Sequence, residues 1–453
     1  MAISPRAFGQ AIALLVVALI GGLATGLLIV PAAVRFRVLS FRAAPVDSGS
    51  SQVPFPARAW SGRTFPDTSA RIGILTDQLP GGMSAAQEQF AATHYVGTQK
   101  LTRNLSQPLR AINPNFLVLH YHLGMWQSAP HVFFIVDGSR WSNDYPIVST
   151  HEDWFWHNRS NQRVASSQDG KLLMNVSHPG FQTYWRDSIA EQVRAGDYDG
   201  VFLDSASPAL LQWEARAPVD DRLLGTGART NTFPELGGKS WTAAWQAWIA
   251  RLDQDLAATG IPLIPNAGAL ATTWDNSDYS ATAGVFLEGF CDPGFITSDW
   301  KDAVNQILGM VRKQRIVILQ NYLASPSDLA KRRYLLGNYL LVKGERTYLA
   351  YFASGGFEWY PEWELDLGAA ERSGATVDAL FSNGIYRRDF AKGIVLVNPT
   401  TRAVAVDLGA TFKRVEPEGG GAVPSNGTTS GRIVTSNVTR IEVPAKSAEI
   451  LLR

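Results

Sequence analysis

Cysteine is almost absent from this chain, since its 453 residues include only Cys291. One thiol can form neither an intramolecular disulfide nor a cysteine-rich metal site, so the fold has to be stabilised by its apolar core. Long basic runs are also missing, and the 41 basic and 40 acidic side chains give a net charge of +1. This balance argues against a nucleic-acid partner, and none is predicted.

Three catalytic or binding motifs are missing as well. No glycine-rich phosphate loop follows the first predicted strand, which disfavours a nucleotide site. No Gly-x-Ser-x-Gly sequence occurs, so a serine nucleophile on a sharp strand-to-helix turn has no support. No His-Glu-x-x-His pair occurs either. The sequence therefore predicts neither a cofactor nor a metal.

The N-terminal region has the composition of an export segment. Ala11–Val30 is an uncharged run of small and apolar residues, long enough to cross a bilayer as a helix. It exceeds the apolar core of a typical cleaved signal peptide, although Pro31–Ala33 offers small residues for cleavage. We therefore predict a signal anchor or a signal peptide over 1–34 and a flexible linker over 35–70. Both alternatives place the rest of the chain outside the cytoplasm, either held to the membrane by residues 11–30 or secreted.

Alternating strand and helix patterns occupy the region 71–378. Such βα units predict a parallel sheet, and eight of them predict a TIM (β/α)8 barrel. The predicted strands lie at 72–75, 116–122, 154–158, 200–204, 261–266, 284–288, 316–321 and 347–351. After residue 379 the apolar period changes to two, which predicts a small antiparallel β-sandwich over 379–453.

Two stretches share one pattern. Asp199–Ser205 and Ala283–Gly289 each contain Val-Phe-Leu followed by a carboxylate, Asp204 in the first and Glu288 in the second. The carboxyl ends of barrel strands are where catalytic residues lie. Tips two strands apart face each other across the mouth of a small barrel. We therefore predict that Asp204 and Glu288 form a catalytic pair.

Hydrolysis of a glycosidic bond requires two such carboxyl groups. One donates a proton to the leaving oxygen, and the other attacks carbon or activates water. The separation is about 5–5.5 Å in retaining enzymes and about 6.5–9.5 Å in inverting ones. The spacing along the sequence is compatible with both.

Further polar and aromatic side chains near predicted strand ends are candidates for substrate binding. His120 and His122 lie two apart on one strand and share a face, whereas Tyr121 is expected to point the other way. No third ligand accompanies the two histidines, so contacts to sugar hydroxyls or a structural role are favoured over metal binding. The candidates are Asp77, His120, His122, Trp156, His157, Asn266, Asn321 and Tyr351.

The two strand-end motifs, Tyr198–Asp204 and Val285–Gly289, resemble those of putative glycoside hydrolase families on TIM barrels. They are similar to the endo-α-1,4-polygalactosaminidase group and to a hypothetical glycosyl hydrolase family. The run Arg388–Pro399 resembles the start of the β domain in α-amylase-like hydrolases. This resemblance implies that Asp204 is the nucleophile or base and that Glu288 is the proton donor.

These observations favour a hydrolase of an extracellular or cell-envelope polysaccharide. The main alternative is a non-catalytic barrel that binds glycan during assembly or attachment of an envelope polysaccharide, because the export pattern and 14 tryptophans fit it equally well. A deacetylase or lyase on the same barrel is a third possibility. All three have a carbohydrate partner, and an uncleaved N-terminal helix would make the membrane a second one. No oligomeric state is predicted.

Overall fold

The computed structural model describes residues 62–453 apart from 128–133, 137–138, 142–143, 167–169, 213–219, 269–276, 296, 355 and 372–373. The predicted export segment Ala11–Val30 lies outside the described residues and stays a prediction, as does the part of the predicted linker before residue 62. Residues 62–70 of that linker are described, and they pack on the fold, since Phe65 and Thr68 are buried and Thr68 N donates to Glu345 O at 2.7 Å. Among the helices that are described, none is both long and apolar enough to cross a bilayer.

Strands and helices alternate through the first two thirds of the described chain. In chain order, the strands up to residue 359 are β1 Gly73–Gln78, β2 Gly97–Lys100, β3 Leu117–Val118, β4 His120–Leu123, β5 Trp126–Gln127, β6 Phe134–Val136, β7 Ser139–Trp141, β8 Leu172–Leu173, β9 Val201–Asp204, β10 Leu263–Pro265, β11 Gly284–Glu288, β12 Ile316–Tyr322, β13 Thr347–Phe352 and β14 Glu358–Trp359. The helices are α1 Ala85–His94, α2 Arg103–Ile112, α3 Tyr145–Val148, α4 Pro179–Gly196, α5 Gly227–Thr230, α6 Trp241–Ala257, α7 Thr297–Arg312 and α8 Leu329–Val342.

The parallel strands form a curled sheet. One part has the order β11-β12-β13-β1-β2-β3, and the other has the order β10-β9-β4. Only Leu119 separates β3 from β4, and its N–H donates to Thr98 of β2 at 3.0 Å. At the other junction a parallel bridge pairs Asn266 with Phe286 of β11. The carboxyl ends of all these strands consequently lie at one edge.

The helix layer around this sheet buries a cluster of tryptophans. Helix α6 begins at Ser240, whose hydroxyl accepts a hydrogen bond from Ala243 N at 3.2 Å, as an N-cap residue does. Trp241, Trp245 and Trp248 follow at helical spacing and are buried. The sequence pattern favoured core packing over a sugar-binding platform for these three rings, and their burial confirms it.

The remaining strands form an antiparallel sheet. They are β15 Phe381–Ser382, β16 Ile385–Phe390, β17 Gly393–Asn398, β18 Val404–Gly419, β19 Gly421–Ala422, β20 Gly431–Val443 and β21 Ser447–Leu452. Six of them form one sheet in the order β15-β16-β17-β21-β18-β20, and β19 pairs with β14. The predicted pair of packed sheets is therefore replaced, in the described residues, by a single sheet. Helix α8 covers it closely, since a Cβ on Gly337 would lie 2.2 Å from Ala448 Cβ.

Two predicted strand positions need correction. The predicted third strand, 154–158, is a 3-10 turn at Glu152–Trp154 followed by isolated bridges. The strand β2 was missed because Gly97–Lys100 is short and mostly polar, with no apolar run to mark it. One predicted strand is absent and one unpredicted strand is present, so the number of positions before β9 is unchanged. The strands β3 and β4 together occupy the third position. Asp204 and Glu288 thus end the fourth and sixth positions, as predicted.

A buried ion network lies at the opposite edge of the curled sheet, where the parallel strands begin. Asp199 accepts hydrogen bonds from Arg110 Nη2 and Val118 N, both at 2.7 Å, and pairs with Arg63 Nη1 at 3.1 Å. Its side chain is fully buried. Because a buried carboxylate is stable only with such partners, we assign this network a structural role.

Candidate active site

The repeated Val-Phe-Leu-acid pattern explains how the two carboxylates come together. Side chains two residues apart on a strand point to the same face, so Phe202 accompanies Asp204 and Phe286 accompanies Glu288. The two phenyl rings meet edge to face with centroids 4.8 Å apart. Tyr121 lies against Phe202 at 5.6 Å. These rings form an apolar floor inside the curled sheet, below two carboxyl groups that remain partly exposed.

One amide group joins the two carboxyl groups. Asn266 Nδ2 lies 3.0 Å from Asp204 Oδ1 and 3.0 Å from Glu288 Oε2. Asn266 follows β10, which lies between β9 and β11, so its side chain reaches both neighbours. The two acids therefore form one site, and an amide with two N–H donors serves both of them.

Each of the two acids accepts a hydrogen bond from a tyrosine. Tyr121 Oη donates to Asp204 Oδ2 at 2.5 Å, and Tyr322 Oη donates to Glu288 Oε1 at 2.5 Å. Gln320 Nε2 donates to Tyr322 Oη at 3.1 Å, which leaves the tyrosine proton for Glu288. In this arrangement each carboxyl group accepts one phenol and one amide hydrogen bond, so the two sets of partners match.

Nearby charges make the two acids unequal. Burial raises the pKa of Asp204, but the charges of Lys171 and Lys100 and the two hydrogen bonds that it accepts outweigh this effect. The pKa of Asp204 consequently lies below its ordinary value. Burial also raises the pKa of Glu288, and the negative charge of Asp204 raises it further, against the hydrogen bonds from Tyr322 and Asn266 and the charge of Lys100. The pair therefore favours an ionised Asp204 and a protonated Glu288.

An ion pair stands beside the carboxyl groups. Asp77 is the penultimate residue of β1, and its Oδ1 lies 2.9 Å from Nζ of Lys100, the last residue of β2. The ammonium group also lies 5.0 Å from the centre of the Tyr121 ring, within the range of a cation–π contact. Lys171, which is buried, belongs to the excursion between β4 and α4.

The site draws on nearly every position of the curled sheet. This distribution is typical of parallel-strand enzymes, in which several strand ends each supply one side chain. From the first position to the seventh, the residues are Asp77, Lys100, Tyr121, Asp204, Asn266, Glu288 and Tyr322.

The structure places His120 and His122 on the helix side of β4. His120 Nε2 contacts Gln192 Oε1 of α4 at 2.9 Å, and His122 Nε2 lies 2.9 Å from Asp144. Burial and the neighbouring His122 lower the pKa of His120 to about 3, so its imidazole is neutral. The prediction placed the wrong face of β4 towards the site. Tyr121, and not the two histidines, is the residue of this strand that faces the carboxyl groups.

Trp156 and His157 lie in the excursion. Trp156 Nε1 donates to Asp220 at 2.9 Å, and its ring is buried against Phe233. His157 Nε2 lies 2.7 Å from the exposed Glu152. None of the contacts described for these two side chains joins them to the carboxyl pair.

Asn321 and Tyr351 lie on the other face of their strands from the site. Asn321 Nδ2 donates to the carbonyl of Phe290 at 3.1 Å. Tyr351 Oη donates to Glu362 at 2.7 Å and is fully buried. The site thus contains four of the ten residues predicted for it: Asp77, Asp204, Asn266 and Glu288.

Four residues of the site were not predicted from the sequence. Tyr121 was assigned to the wrong face, and Tyr322 lies one residue beyond the predicted end of its strand. Lys100 belongs to the strand that was missed, and Lys171 to a segment with no periodic pattern. A polar or aromatic residue at each strand end was the available signal. No group of three or more His, Cys, Asp or Glu side chains suited to a metal occurs within the described ranges.

A curled parallel sheet with two carboxyl groups at its strand ends is the arrangement found in glycoside hydrolases. Residues 110–394 match the hypothetical glycosyl hydrolase family 15, which is more than half of the chain. The chain belongs to this family. The match includes Asp204, Asn266, Glu288 and Tyr322, whereas Asp77 and Lys100 precede it. A search of curated proteins finds no match.

Several solved structures of glycoside hydrolases are similar to the chain. A noncanonic maltogenic α-amylase, AmyB from Thermotoga neapolitana, has 11% identity and a TM-score of 0.42, over 84% of this chain and 98% of that one. The GH36 α-galactosidase AgaA from Geobacillus stearothermophilus has 11% identity and a TM-score of 0.39, over 85% of this chain and 56% of that one. A pullulanase from Bacillus acidopullulyticus has 13% identity and a TM-score of 0.37, over 78% of this chain and 48% of that one. The chain thus spans about half the length of the last two.

Proposed function

We propose that this protein is a glycoside hydrolase that cleaves O-glycosidic bonds of a polysaccharide with Asp204 and Glu288, and that its curled sheet works as a (β/α)8 barrel. The observation that carries the proposal is the amide of Asn266, which binds both carboxyl groups and so places them in one site. Membership of a glycosyl hydrolase family supports the same reaction class.

The electrostatics of the pair support distinct roles. A nucleophile has to be ionised, and the lowered pKa of Asp204 favours that form. A proton donor has to hold its proton near neutral pH, and the raised pKa of Glu288 favours that form. We therefore assign Asp204 as the nucleophile and Glu288 as the acid and base.

The separation of the two groups supports retention of anomeric configuration. Both accepting oxygens lie 3.0 Å from the same nitrogen, so they cannot be farther apart than twice that distance. If each N–H of the amide points at one oxygen, the oxygens lie about 5 Å apart, close to the value of about 5–5.5 Å for retaining enzymes. An inverting reaction needs room for a water molecule between acid and base.

The reaction then has two steps. In the first, a carboxylate oxygen of Asp204 bonds to the anomeric carbon while the glycosidic C–O bond breaks, and the proton of Glu288 goes to the leaving oxygen. In the second, Glu288 takes a proton from water, the water oxygen attacks the anomeric carbon, and the ester bond to Asp204 breaks. Tyr121 and Tyr322 hold the two carboxyl groups in place.

A screen for glycan degradation tests the proposal. A soluble protein starting near residue 45 is incubated with a panel of polysaccharides, and released reducing ends are measured for the wild type, Asp204→Asn and Glu288→Gln. Asp378→Asn is the matched control, because it makes the same carboxylate-to-amide change at an exposed surface ion pair. We expect products from the wild type and the control alone.

Other outcomes of the screen separate the alternatives. Equal products from all four proteins would keep the enzyme but remove the assigned pair. Glycan binding without products would favour the non-catalytic glycan-binding barrel. NMR of the first product formed by the wild type tests the stereochemistry, since an inverted anomer would contradict the nucleophilic role of Asp204.

The substrate and the location are part of the proposal. The polysaccharide is extracellular or belongs to the cell envelope. The uncharged run Ala11–Val30 supports export, either as an anchor or as a cleaved signal. Fractionation of cells expressing the full chain distinguishes a membrane-bound from a released protein, and recovery in the cytoplasm would contradict export.

A further inference from the structure

Two acid–base pairs occupy opposite edges of the curled sheet, and they differ in how well they are satisfied. At the edge where the strands begin, Asp199 accepts hydrogen bonds from several donors and its side chain has 0% exposure. At the catalytic edge, the side chains of Asp77 and Lys100 are 12% and 20% exposed. The second pair is therefore within reach of a bound molecule.

Lys100 has hydrogen-bonding capacity left over. Among the described residues, Asp77 is the partner of its ammonium group, with the two carboxylate oxygens at 2.9 and 3.1 Å. An ammonium group has three N–H donors, and each carboxylate oxygen has more than one acceptor site. A sugar hydroxyl both donates and accepts, so one hydroxyl can bond to the ammonium group and to the carboxylate at the same time.

The position of the pair connects it to the reacting centre. Lys100 Nζ lies 5.0 Å from the ring centre of Tyr121 and 5.9 Å from that of Phe202. Tyr121 donates to Asp204, and Phe202 is two residues before it. The Lys100–Asp77 pair therefore lies beside Asp204, on one side of the position that a sugar ring would occupy with its anomeric carbon at that carboxylate.

The charge of Lys100 limits which sugar substituents can bind beside its ammonium group. A protonated amine in place of the hydroxyl that bonds to Lys100 would bring a second positive charge against this ammonium group, and like charges repel. An uncharged ring adds none.

We infer that the Lys100–Asp77 pair binds hydroxyls of the sugar ring that is cleaved, and that this site accepts uncharged sugars and rejects protonated amino sugars. The inference rests on the proposed function. It argues against the amino-sugar substrate of the polygalactosaminidase group and assigns Lys100 as a specificity-determining residue.

Binding of monosaccharides to an inactive enzyme tests this inference. Glu288→Gln serves as the background because it prevents turnover. NMR titrations measure the Kd of galactose, glucose, galactosamine and glucosamine at a pH where the amines are protonated. We expect at least one neutral sugar to bind and its amino counterpart to bind about tenfold or more weakly.

Substitutions of Lys100 identify the source of the preference. Lys100→Met is expected to weaken neutral-sugar binding about 10- to 100-fold, because hydrogen bonds to a charged group are lost, and to reduce the discrimination against amines. Lys100→Arg keeps the charge and should keep the discrimination, which guards against misfolding of the methionine variant. Lys331→Met is the matched control, since Lys331 forms a half-buried pair with Asp292 at 2.8 Å.

The results that overturn the inference are distinct from those that overturn the hydrolase. Equal or tighter binding of amino sugars, no binding of any of the four sugars, or an unchanged preference in Lys100→Met would each contradict it. Because these are binding measurements, they hold whether or not the wild type hydrolyses a glycan. Hydrolysis with the opposite charge preference would keep the proposed function and remove this inference.

Discussion

Asp204 and Glu288 share one hydrogen-bond donor, since Asn266 Nδ2 lies 3.0 Å from an oxygen of each. Each acid also accepts a hydrogen bond from its own tyrosine, so these partners are alike. The charges of Lys171 and Lys100 lower the pKa of Asp204, whereas burial and the charge of Asp204 raise the pKa of Glu288.

Replacement of Asn266 tests the bridge. Asn266→Ala removes a positioned donor from both acids, and we expect kcat to fall by about 100-fold or more. Asn426→Ala is the control, because its side chain bonds only within an exposed turn. Activity close to wild type in a correctly folded Asn266→Ala protein would show that the amide does not position the pair.

The pH dependence of kcat/KM should be bell-shaped. Asp204 has to be ionised, so its lowered pKa places the loss of activity on the acid side below the ordinary range of an aspartate. Glu288 has to be protonated, so its raised pKa places the loss on the basic side above the ordinary range of a glutamate. A profile with no decline on the basic side would contradict the acid role of Glu288.

Lys171 should control the acid side of that profile. Its charge lowers the pKa of Asp204, so Lys171→Met raises that pKa and shifts the acid limb to higher pH. Lys301→Met removes a lysine from an exposed ion pair with Asp378 and should leave both limbs of the pH profile unchanged. Equal shifts in the two variants would point to a general charge effect.

The two tyrosines should act on different limbs. Each phenol lowers the pKa of its own acid, so Tyr121→Phe should move the acid limb upward and Tyr322→Phe the basic limb upward. Tyr339→Phe is the control, because it removes a buried hydroxyl that donates to the carbonyl of Thr347 at 2.9 Å. A shift of the same limb in both variants would contradict the paired arrangement.

Removal of one partner from a buried ion pair should destabilise the fold strongly. Arg332 Nε and Nη2 donate to Glu362 at 2.8 and 2.6 Å, and the side chains are 1% and 2% exposed. Arg332→Met leaves the carboxylate buried without its partner and should lower the free energy of unfolding by about 3–5 kcal/mol. Chemical denaturation measures this change. Arg432→Met, at an exposed pair with Glu418, should change little.

The sequence predicted the strand-end acids because their signal is local. Three apolar residues and a carboxylate mark a buried strand with a polar tip, and the repeat at Asp204 and Glu288 shows this twice. Burial of Val201–Leu203 and Val285–Leu287 follows the pattern. The strand β2 carries no such signal, because its burial comes from neighbouring strands and not from its own composition.

The face of a side chain was harder to predict than its place along a strand. An error of one residue in the phase of a strand exchanges its two faces, and this exchanged Tyr121 with His120 and His122. The excursion that supplies Lys171 has no periodicity, and its contribution arises only when the chain folds back over the strand ends. Such long-range contacts leave no trace in a local pattern.

The connection between β18 and β20 contacts helix α1, near the start of the described residues. Val423 accepts a hydrogen bond from Gln87 Nε2 at 2.9 Å, Arg332 Nη1 donates to Gly419 at 2.9 Å, and Glu358 pairs with Ala422. Loss of the antiparallel sheet would therefore remove partners from the beginning and the end of the curled sheet alike. Residues 62–453 should melt in a single cooperative transition, and a protein truncated before the antiparallel sheet should not retain a folded catalytic region.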